Sequence, residues 1–293
     1  MITYNPKDWF KLIVTFHKTD TFRVLAPTMV LLGALTWLVC YLMQHYLPNY
    51  HPSLTLFHQI LGFVISLVLV FRINTAYDRW WEGRKQWGAL VNNCRILAMK
   101  FSTLIPSDQT LLRKEVFALI ASFPFVLKEH LRGNNRPSGV IESEYLNFKE
   151  LHKWENQPNY LVSQLSVLSR RVTSKYTAST NDYLILSETL FQFTDITGAC
   201  ERIKNTPIPY SYNIYIKKII FLYVITMPLA FGASIGYWSI PMVMIIFYAF
   251  ASLELISEEV EDPFGTDEND LPTDDLAEKI KKSTKEILIG HEA

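Results

Sequence analysis

The sequence predicts an all-α membrane protein, and two observations carry that prediction: long uncharged stretches and a lack of strand-like alternation. Three stretches carry no Asp, Glu, Lys or Arg, at residues 24–43, 54–71 and 219–253. A helix needs about 20 apolar residues to cross the hydrocarbon core of a bilayer, so each of the first two is long enough for one crossing. Runs with the period of two that marks half-buried strands are missing.

The third stretch is too long for one crossing, because a straight helix of about 35 residues would be about 50 Å long. Two prolines and two glycines lie near its middle, where a tight reversal would fit: Pro228, Gly232, Gly236 and Pro241. We therefore predict four transmembrane helices, at about 24–46, 54–74, 216–234 and 236–254. Together with the rest of residues 1–293 they are expected to form a single domain.

Basic residues predict the orientation of these crossings. They crowd the N-terminal segment (Lys7, Lys11, Lys18 and Arg23), residues 72–95 and residues 202–218, whereas the connections 45–53 and 232–241 contain no Lys or Arg. The positive-inside rule then places both termini in the cytoplasm of a multi-pass inner-membrane protein. The region 75–215 and the acidic tail 255–293 are expected on the same side.

The predicted cytoplasmic region reads as helical. No helix breaker separates Phe71 from Trp81, so residues 74–100 are expected to continue the second crossing. Apolar residues at helical spacing predict further helices at 111–131 and 184–204, and a short Lys-rich helix at 276–289.

Motifs of catalysis are absent from the sequence, which predicts no enzyme, no required cofactor and no nucleic-acid partner. Cys40, Cys94 and Cys200 have no metal-ligand spacing and are expected to be unpaired thiols. Among Asp, Glu, Lys, Arg and His, the three uncharged stretches contain only His58, near an outer end. Ion-coupled carriers usually place such a group at mid-depth, whereas passive conduction needs none.

A dense motif of Arg and Trp follows the second crossing. Two interpretations stay open for it: anchoring of a helix at the membrane interface, and a functional role. Its members are Arg72, Asn74, Tyr77, Arg79, Trp80, Trp81 and Glu82.

Three separated motifs resemble the bacterial branch of the bestrophin family. They are Phe-Arg-x-Asn-x-x-Tyr-x-Arg at 71–79, Gly-Ala-Cys-Glu-Arg-Ile-Lys-Asn-Thr-Pro-Ile-Pro-Tyr at 198–210, and Glu-Glu-Val-Glu-Asp-Pro-Phe-Gly-Thr-Asp at 258–267. The resemblance covers nearly the whole chain and is weakest over 102–180. It implies a homopentamer with four membrane helices per subunit and one central ion pore.

The resemblance places a narrow apolar neck of that pore at Phe63, Leu67 and Phe71. Their spacing of i, i+4 and i+8 puts all three on one helical face, with apolar rings about 6 Å apart along the axis. Gly62 and Ser66 flank that face and would allow close helix packing.

A second constriction of the family falls near Asp182, with an alignment shift that could reach Ile185. An inward-facing Asp182 would form an anionic ring that attracts cations, whereas a helix cap is the alternative role. This residue makes us favour monovalent cations such as sodium slightly over chloride and other anions.

The acidic tail contains positions that match the calcium clasp of animal relatives: Glu259, Asp262, Asp267 and Asp270. Oxygen-rich side chains at this density suit calcium. The alternative is that these acids pair with Arg72, Arg79 or Arg84 and cap helices. The resemblance therefore makes calcium a candidate cofactor.

The sequence thus predicts a passive, pentameric channel for monovalent ions in the lipid bilayer. A small-molecule carrier or exporter and a non-conducting membrane scaffold are the rival functions.

Overall fold

The structure is a computed structural model that describes residues 20–46, 54–176 and 180–290. The basic residues Lys7, Lys11 and Lys18 and most of the connection 45–53, which the orientation argument uses, lie outside these ranges. The helices of the described residues are α1 (Asp20–Tyr46), α2 (Thr55–Leu104), α3 (Thr110–Leu131), α4 (Phe148–Leu151), α5 (Gln157–Tyr176), α6 (Thr180–Asn205), α7 (Tyr210–Ile235), α8 (Ser239–Glu261) and α9 (Thr273–Leu288). Within these ranges no strand is present, which confirms the all-helical prediction.

The chain divides into two compact units. The apolar unit contains the described residues up to Arg79 together with Pro207–Glu261, and the polar unit contains Trp80–Thr206 and the described part of Asp262–Ala293. Helix α2 continues without a break through the boundary at Arg79, as the lack of a breaker after Phe71 predicts.

Three segments are long and apolar enough to cross a membrane: Thr21–Tyr46, Thr55–Leu104 and Tyr210–Glu261. The third contains two helices, α7 and α8, with a reversal at a single 3-10 turn, Gly236–Trp238. Gly236 has φ of 59°, a left-handed conformation that favours glycine, so this residue permits the reversal. Pro228 lies inside α7 and does not end it, although the sequence placed it among the reversal residues.

The polar unit packs around a helical core. Trp87, Leu90 and Leu97 of α2 are buried there, and the rings of Phe123 and Phe193 join α3 to α6 edge to face at 4.8 Å. Helix α5 is an element that the sequence analysis did not predict. Its signal is an apolar stripe whose members are all buried: Leu161, Leu165, Leu168 and Val172.

An ion-pair network joins α3 to α9 in the polar unit. The buried Lys128 donates to Asp274 Oδ1 at 2.5 Å, and Arg132 donates to Asp274 Oδ2 at 2.9 Å. Burial opposes ionisation of Asp274, but the hydrogen bonds from Arg132 and Lys128 outweigh it, so the pKa of Asp274 lies below its ordinary value. The network therefore stabilises the fold when Asp274 is ionised.

We expect Asp274→Asn to lower stability at neutral pH by no more than about 1 kcal/mol, because the carboxylate is largely exposed and screened by solvent. A lowered pKa gives stability that is present above the unfolded-state pKa and is lost as pH falls through the folded-state value. The variant should therefore lose less stability than the unchanged protein between neutral and acidic pH. Thermal unfolding in detergent across that range measures this, with the exposed neighbour Asp275→Asn as control. Equal pH profiles for the unchanged protein and Asp274→Asn would contradict the assignment.

Candidate pore-lining site

The three predicted neck residues lie together on an exposed face of α2. Phe63 is 66% exposed, Leu67 44% and Phe71 64% in the single chain. Large apolar side chains at these fractions are unusual for a face in water, but they suit a face that meets lipid, another subunit or a dry pore. The structure therefore places the three residues on one accessible stripe, and their role as a pore lining stays a prediction.

The opposite face of α2 holds the helix against the rest of the apolar unit. Ile65 and Leu69 are buried there with residues of α7 and α8. Gly62 allows the closest approach, since a Cβ atom at this position would lie 2.6 Å from the hydroxyl oxygen of Tyr223. Close packing through Gly62 is thus made with a helix of the same chain, and it fixes which side of α2 faces outward.

A buried ion cluster lies one residue beyond the neck stripe. Arg72 is fully buried, its guanidinium donates to Glu261 Oε2 at 2.7 Å, and its Nε lies 3.6 Å from Glu254 Oε2. The other oxygen of Glu261 accepts the main-chain N–H of Ile208 at 2.5 Å. Buried charges persist only when they are paired, so this cluster locks α2 to α8 and to the segment before α7.

The cluster gives Arg72 a structural role inside the apolar unit, where it is buried and pairs with Glu254 and Glu261. Anchoring of the motif at a membrane interface stays a prediction. The predicted crossing 236–254 ends on a buried carboxylate, that of Glu254. Arg72 and Glu254 stand at the ends of their uncharged stretches, not at the middle, where ion-coupled carriers usually place such groups.

The remaining motif residues have separate surroundings. Arg79 donates from Nε to the carbonyl oxygen of Glu261 at 3.1 Å. In the polar unit, the indole N–H of Trp80 donates to the carbonyl oxygen of Asn269 at 3.0 Å, and Glu82 pairs with Lys85 at 2.6 Å. The more exposed members of the motif are Asn74, Tyr77 and Trp81. The motif thus supplies both internal contacts and an exposed surface.

The candidate for the second constriction lies at the start of α6. Asp182 is partly buried in the first turn, whereas Leu184 and Ile185 expose 60% and 47% of their surfaces. Two apolar side chains at this end of α6 are thus more exposed than Asp182. This arrangement makes Ile185, within the shift that the resemblance allows, as good a candidate as Asp182.

The acidic candidates for calcium do not come together as a metal site. Among the described residues, no three His, Cys, Asp or Glu side chains are arranged to hold a metal ion. Asp262 pairs with Lys204 at 2.5 Å. Asp270 accepts the main-chain N–H of Asp267 at 2.7 Å through Oδ2, while its buried Oδ1 accepts no hydrogen bond. Glu259 belongs to the apolar unit, unlike the other three candidates.

Burial raises the pKa of Asp270 to about 6, so its carboxylate is mostly ionised at neutral pH. One free buried carboxylate oxygen fits a calcium ligand, but the lysine beside Asp262 supplies a positive charge where calcium would need a negative one. The donor set that these residues offer is therefore incomplete for calcium.

Comparison with known proteins decides the family. The model of the family described as bacterial and fungal bestrophin proteins matches residues 1–286. The chain belongs to the bestrophin family. The resemblance found in the motifs at 71–79, 198–210 and 258–267 is thereby confirmed.

Similar bestrophin-family relatives carry channel names. A protein of Nostoc sp., named voltage-dependent anion channel-forming protein alr2987, is 31% identical over 98% of this chain and 94% of its own length. The Escherichia coli protein YneE, named a voltage-dependent anion channel-forming protein, is 28% identical over 96% of this chain and 92% of its own length.

Solved structures show the same fold. A bacterial bestrophin homologue from Klebsiella pneumoniae superposes with a TM-score of 0.81 at 23% identity, covering 90% of this chain and 98% of that one. A crystal structure described only as that of a membrane protein variant gives a TM-score of 0.83 at 22% identity, covering 91% of this chain and 99% of that one. The helical arrangement described above is therefore the bestrophin fold.

Proposed function

We propose that this bestrophin-family protein is a passive ion channel of the bacterial inner membrane, assembled from identical subunits around a central pore. The observation that carries the proposal is the exposed apolar stripe of Phe63, Leu67 and Phe71 on α2. A helix that buries its other face within its own chain leaves this stripe available to line a shared axis. Apolar constrictions of this kind gate conduction by dewetting. The channel names of the relatives support the same function.

A homopentamer is the assembly that the family resemblance favours. The exposed apolar stripe needs neighbouring copies if it is to enclose a passage, because one helix cannot. Light scattering or native mass spectrometry of the detergent-purified protein measures the copy number, with a pentamer expected and a stable monomer as the contradicting result.

For selectivity we propose anions, in place of the cation preference inferred from Asp182. The named relatives are anion channel-forming proteins, and the predicted neck carries no carboxylate. The edges of Phe63 and Phe71 carry partial positive charge, which suits anions. A cation channel is the second candidate, and the partly buried Asp182 is the observation that favours it.

The reversal potential decides between the two candidates. With a tenfold sodium chloride gradient across a planar bilayer, an ideally anion-selective channel reverses about 59 mV from zero, at the chloride equilibrium potential. We expect a shift of that sign, and Asp182→Asn should leave it nearly unchanged. Reversal towards the sodium potential, reduced by Asp182→Asn, would contradict anion selectivity and assign Asp182 to the pore.

Calcium control is implied by the resemblance, but the incomplete donor set argues against it. It is tested by recording the same channel with calcium and then with a chelator on each side of the bilayer. Because the donor set around Asp270 is incomplete, we expect no change in open probability. A reversible response that Asp270→Asn removes would contradict that expectation.

A further inference from the structure

The polar unit contains a lysine that is held against the candidate second constriction. Lys100 lies near the carboxyl end of α2 and is half-buried. Its ammonium donates to the carbonyl oxygen of Ile185 at 3.0 Å and to the hydroxyl oxygen of Thr189 at 2.6 Å. These two hydrogen bonds fix the position of the charge beside the first turns of α6.

The ammonium of Lys100 has no carboxylate partner. Among the residues that the structure describes, no Asp or Glu forms an ion pair with it, and this includes Asp182 and Glu188 of the adjacent part of α6. Withdrawing a charge from water is costly, and a paired carboxylate commonly offsets that cost. An ammonium has three N–H donors, so the two hydrogen bonds to α6 leave one donor. Positive charge and one donor are therefore available to an anion.

Exposed apolar side chains accompany this charge. Met99, the chain neighbour of Lys100 on α2, is 52% exposed, and on α6 Leu184 is 60% exposed and Ile185 47%. Large apolar side chains at these fractions are unusual on a surface in bulk water. They suit a narrow passage, where an ion sheds part of its water and a nearby charge acts more strongly than in bulk solvent.

We propose that Lys100 determines ion selectivity at this end of α6, by offering its ammonium to monovalent inorganic anions such as chloride as they pass Ile185. This inference rests on the proposed channel function and names the residue that supplies its anion preference. The side chain of Ile185 narrows the passage, whereas the charge of Lys100 stabilises an anion there and destabilises a cation. An assembly of identical subunits repeats the charge around the axis and strengthens the effect.

The test is the chloride-to-sodium permeability ratio of the full-length protein, obtained from the reversal potential in a sodium chloride gradient across a planar bilayer. Lys100→Gln removes the charge and keeps an N–H donor. It should lower the ratio about fivefold or more, because a unit charge at contact distance in water changes the energy of an ion by that order. Lys100→Arg keeps the charge and should keep the ratio. Lys114→Gln, at an exposed lysine of α3, removes an equal charge from the same unit and should leave the ratio unchanged.

A cysteine at the same position tests the sign of the charge, and it also serves if the amide side chain is not accommodated. Lys100→Cys should lower the ratio as Lys100→Gln does. A thiol reagent that attaches an aminoethyl group should restore the ratio, whereas a reagent that attaches an ethylsulfonate group should lower it further. The native Cys40, Cys94 and Cys200 are buried, so the unchanged protein should not respond to either reagent.

Equal ratios for the unchanged protein and Lys100→Gln would overturn the inference, and so would equal decreases in Lys100→Gln and Lys114→Gln. Identical effects of the two thiol reagents on Lys100→Cys would also overturn it, because the adducts have opposite charges. Each of these results requires currents from the unchanged protein and therefore leaves the channel proposal in place. A complete lack of currents from the unchanged protein would instead contradict the channel proposal, and this inference with it.

Discussion

Leu67→Ala should raise the single-channel conductance several-fold. The Leu67 side chains of the assembled subunits would form an apolar ring, and a wider ring of alanines keeps water in the pore at voltages where the leucines exclude it. Leu67 is the middle residue of the stripe formed with Phe63 and Phe71, so its replacement interrupts the water-excluding part of the proposed pore at its centre. The measurement is unitary current in planar bilayers at fixed salt and voltage.

Ile65→Ala is the matched control on the same helix. Ile65 is 1% exposed and faces the interior of the apolar unit, so its truncation should cost about 2–5 kcal/mol of stability and leave the unitary conductance unchanged. Unchanged currents in Leu67→Ala, or equal changes in both variants, would mean that this face of α2 does not line the passage.

Arg72→Met should be among the most destabilising single changes in the apolar unit. Removing one partner of a buried ion pair costs about 3–5 kcal/mol, because the remaining charges lose their compensation. Here two carboxylates, those of Glu254 and Glu261, would stay buried without the guanidinium. Thermal unfolding in detergent measures the loss, and Arg23→Met, at an exposed arginine of α1, should have little effect.

A double variant tests the physical cause. Arg72→Met with Glu261→Gln removes the arginine and one of the stranded charges, so it should recover part of the loss of Arg72→Met alone. If Arg72→Met is as stable as Arg23→Met, or if the double variant is additive, the cluster does not hold α2 in place.

The rotation of α2 links this cluster to the neck. Consecutive residues of a helix point about 100° apart, so fixing Arg72 towards the interior turns Phe71 towards the exposed face. Gly62 acts in the same way through its close approach to Tyr223. The neck stripe is thus set by contacts on the buried face of the same helix.

Much of this fold follows from local sequence signals. The uncharged stretches and the missing breaker after Phe71 predict α1, α2 and the pair α7 and α8, because a helix satisfies its main-chain groups within a bilayer. The reversal between α7 and α8 also follows from local residues. Of the four prolines and glycines proposed for it, only Gly236 has the left-handed backbone conformation that the turn requires. The expectation that Pro228 belongs to the reversal is wrong, because neighbouring helices can compensate for a proline inside an apolar helix.

The contacts that position the site are not local, and the sequence therefore does not reveal them. Arg72 meets Glu254 and Glu261 from more than 180 positions away, and nothing near Arg72 indicates a buried environment. The pair Trp80 and Trp81, in the same motif, favoured a role at the membrane interface instead. At α6, the spacing of the family resemblance selected Asp182, whereas the exposed side chain of Ile185 makes that residue an equal candidate.

The central claim is that Phe63, Leu67 and Phe71 face a shared ion passage. The most direct test is Leu67→Cys in planar bilayers with a charged, thiol-specific reagent, because only a side chain in the water-accessible passage alters current on modification. The native Cys40, Cys94 and Cys200 are buried, so the background reaction is expected to be low. We predict rapid, irreversible loss of current for Leu67→Cys and none for Ile65→Cys. Full modification of Leu67→Cys with undiminished current would contradict the account.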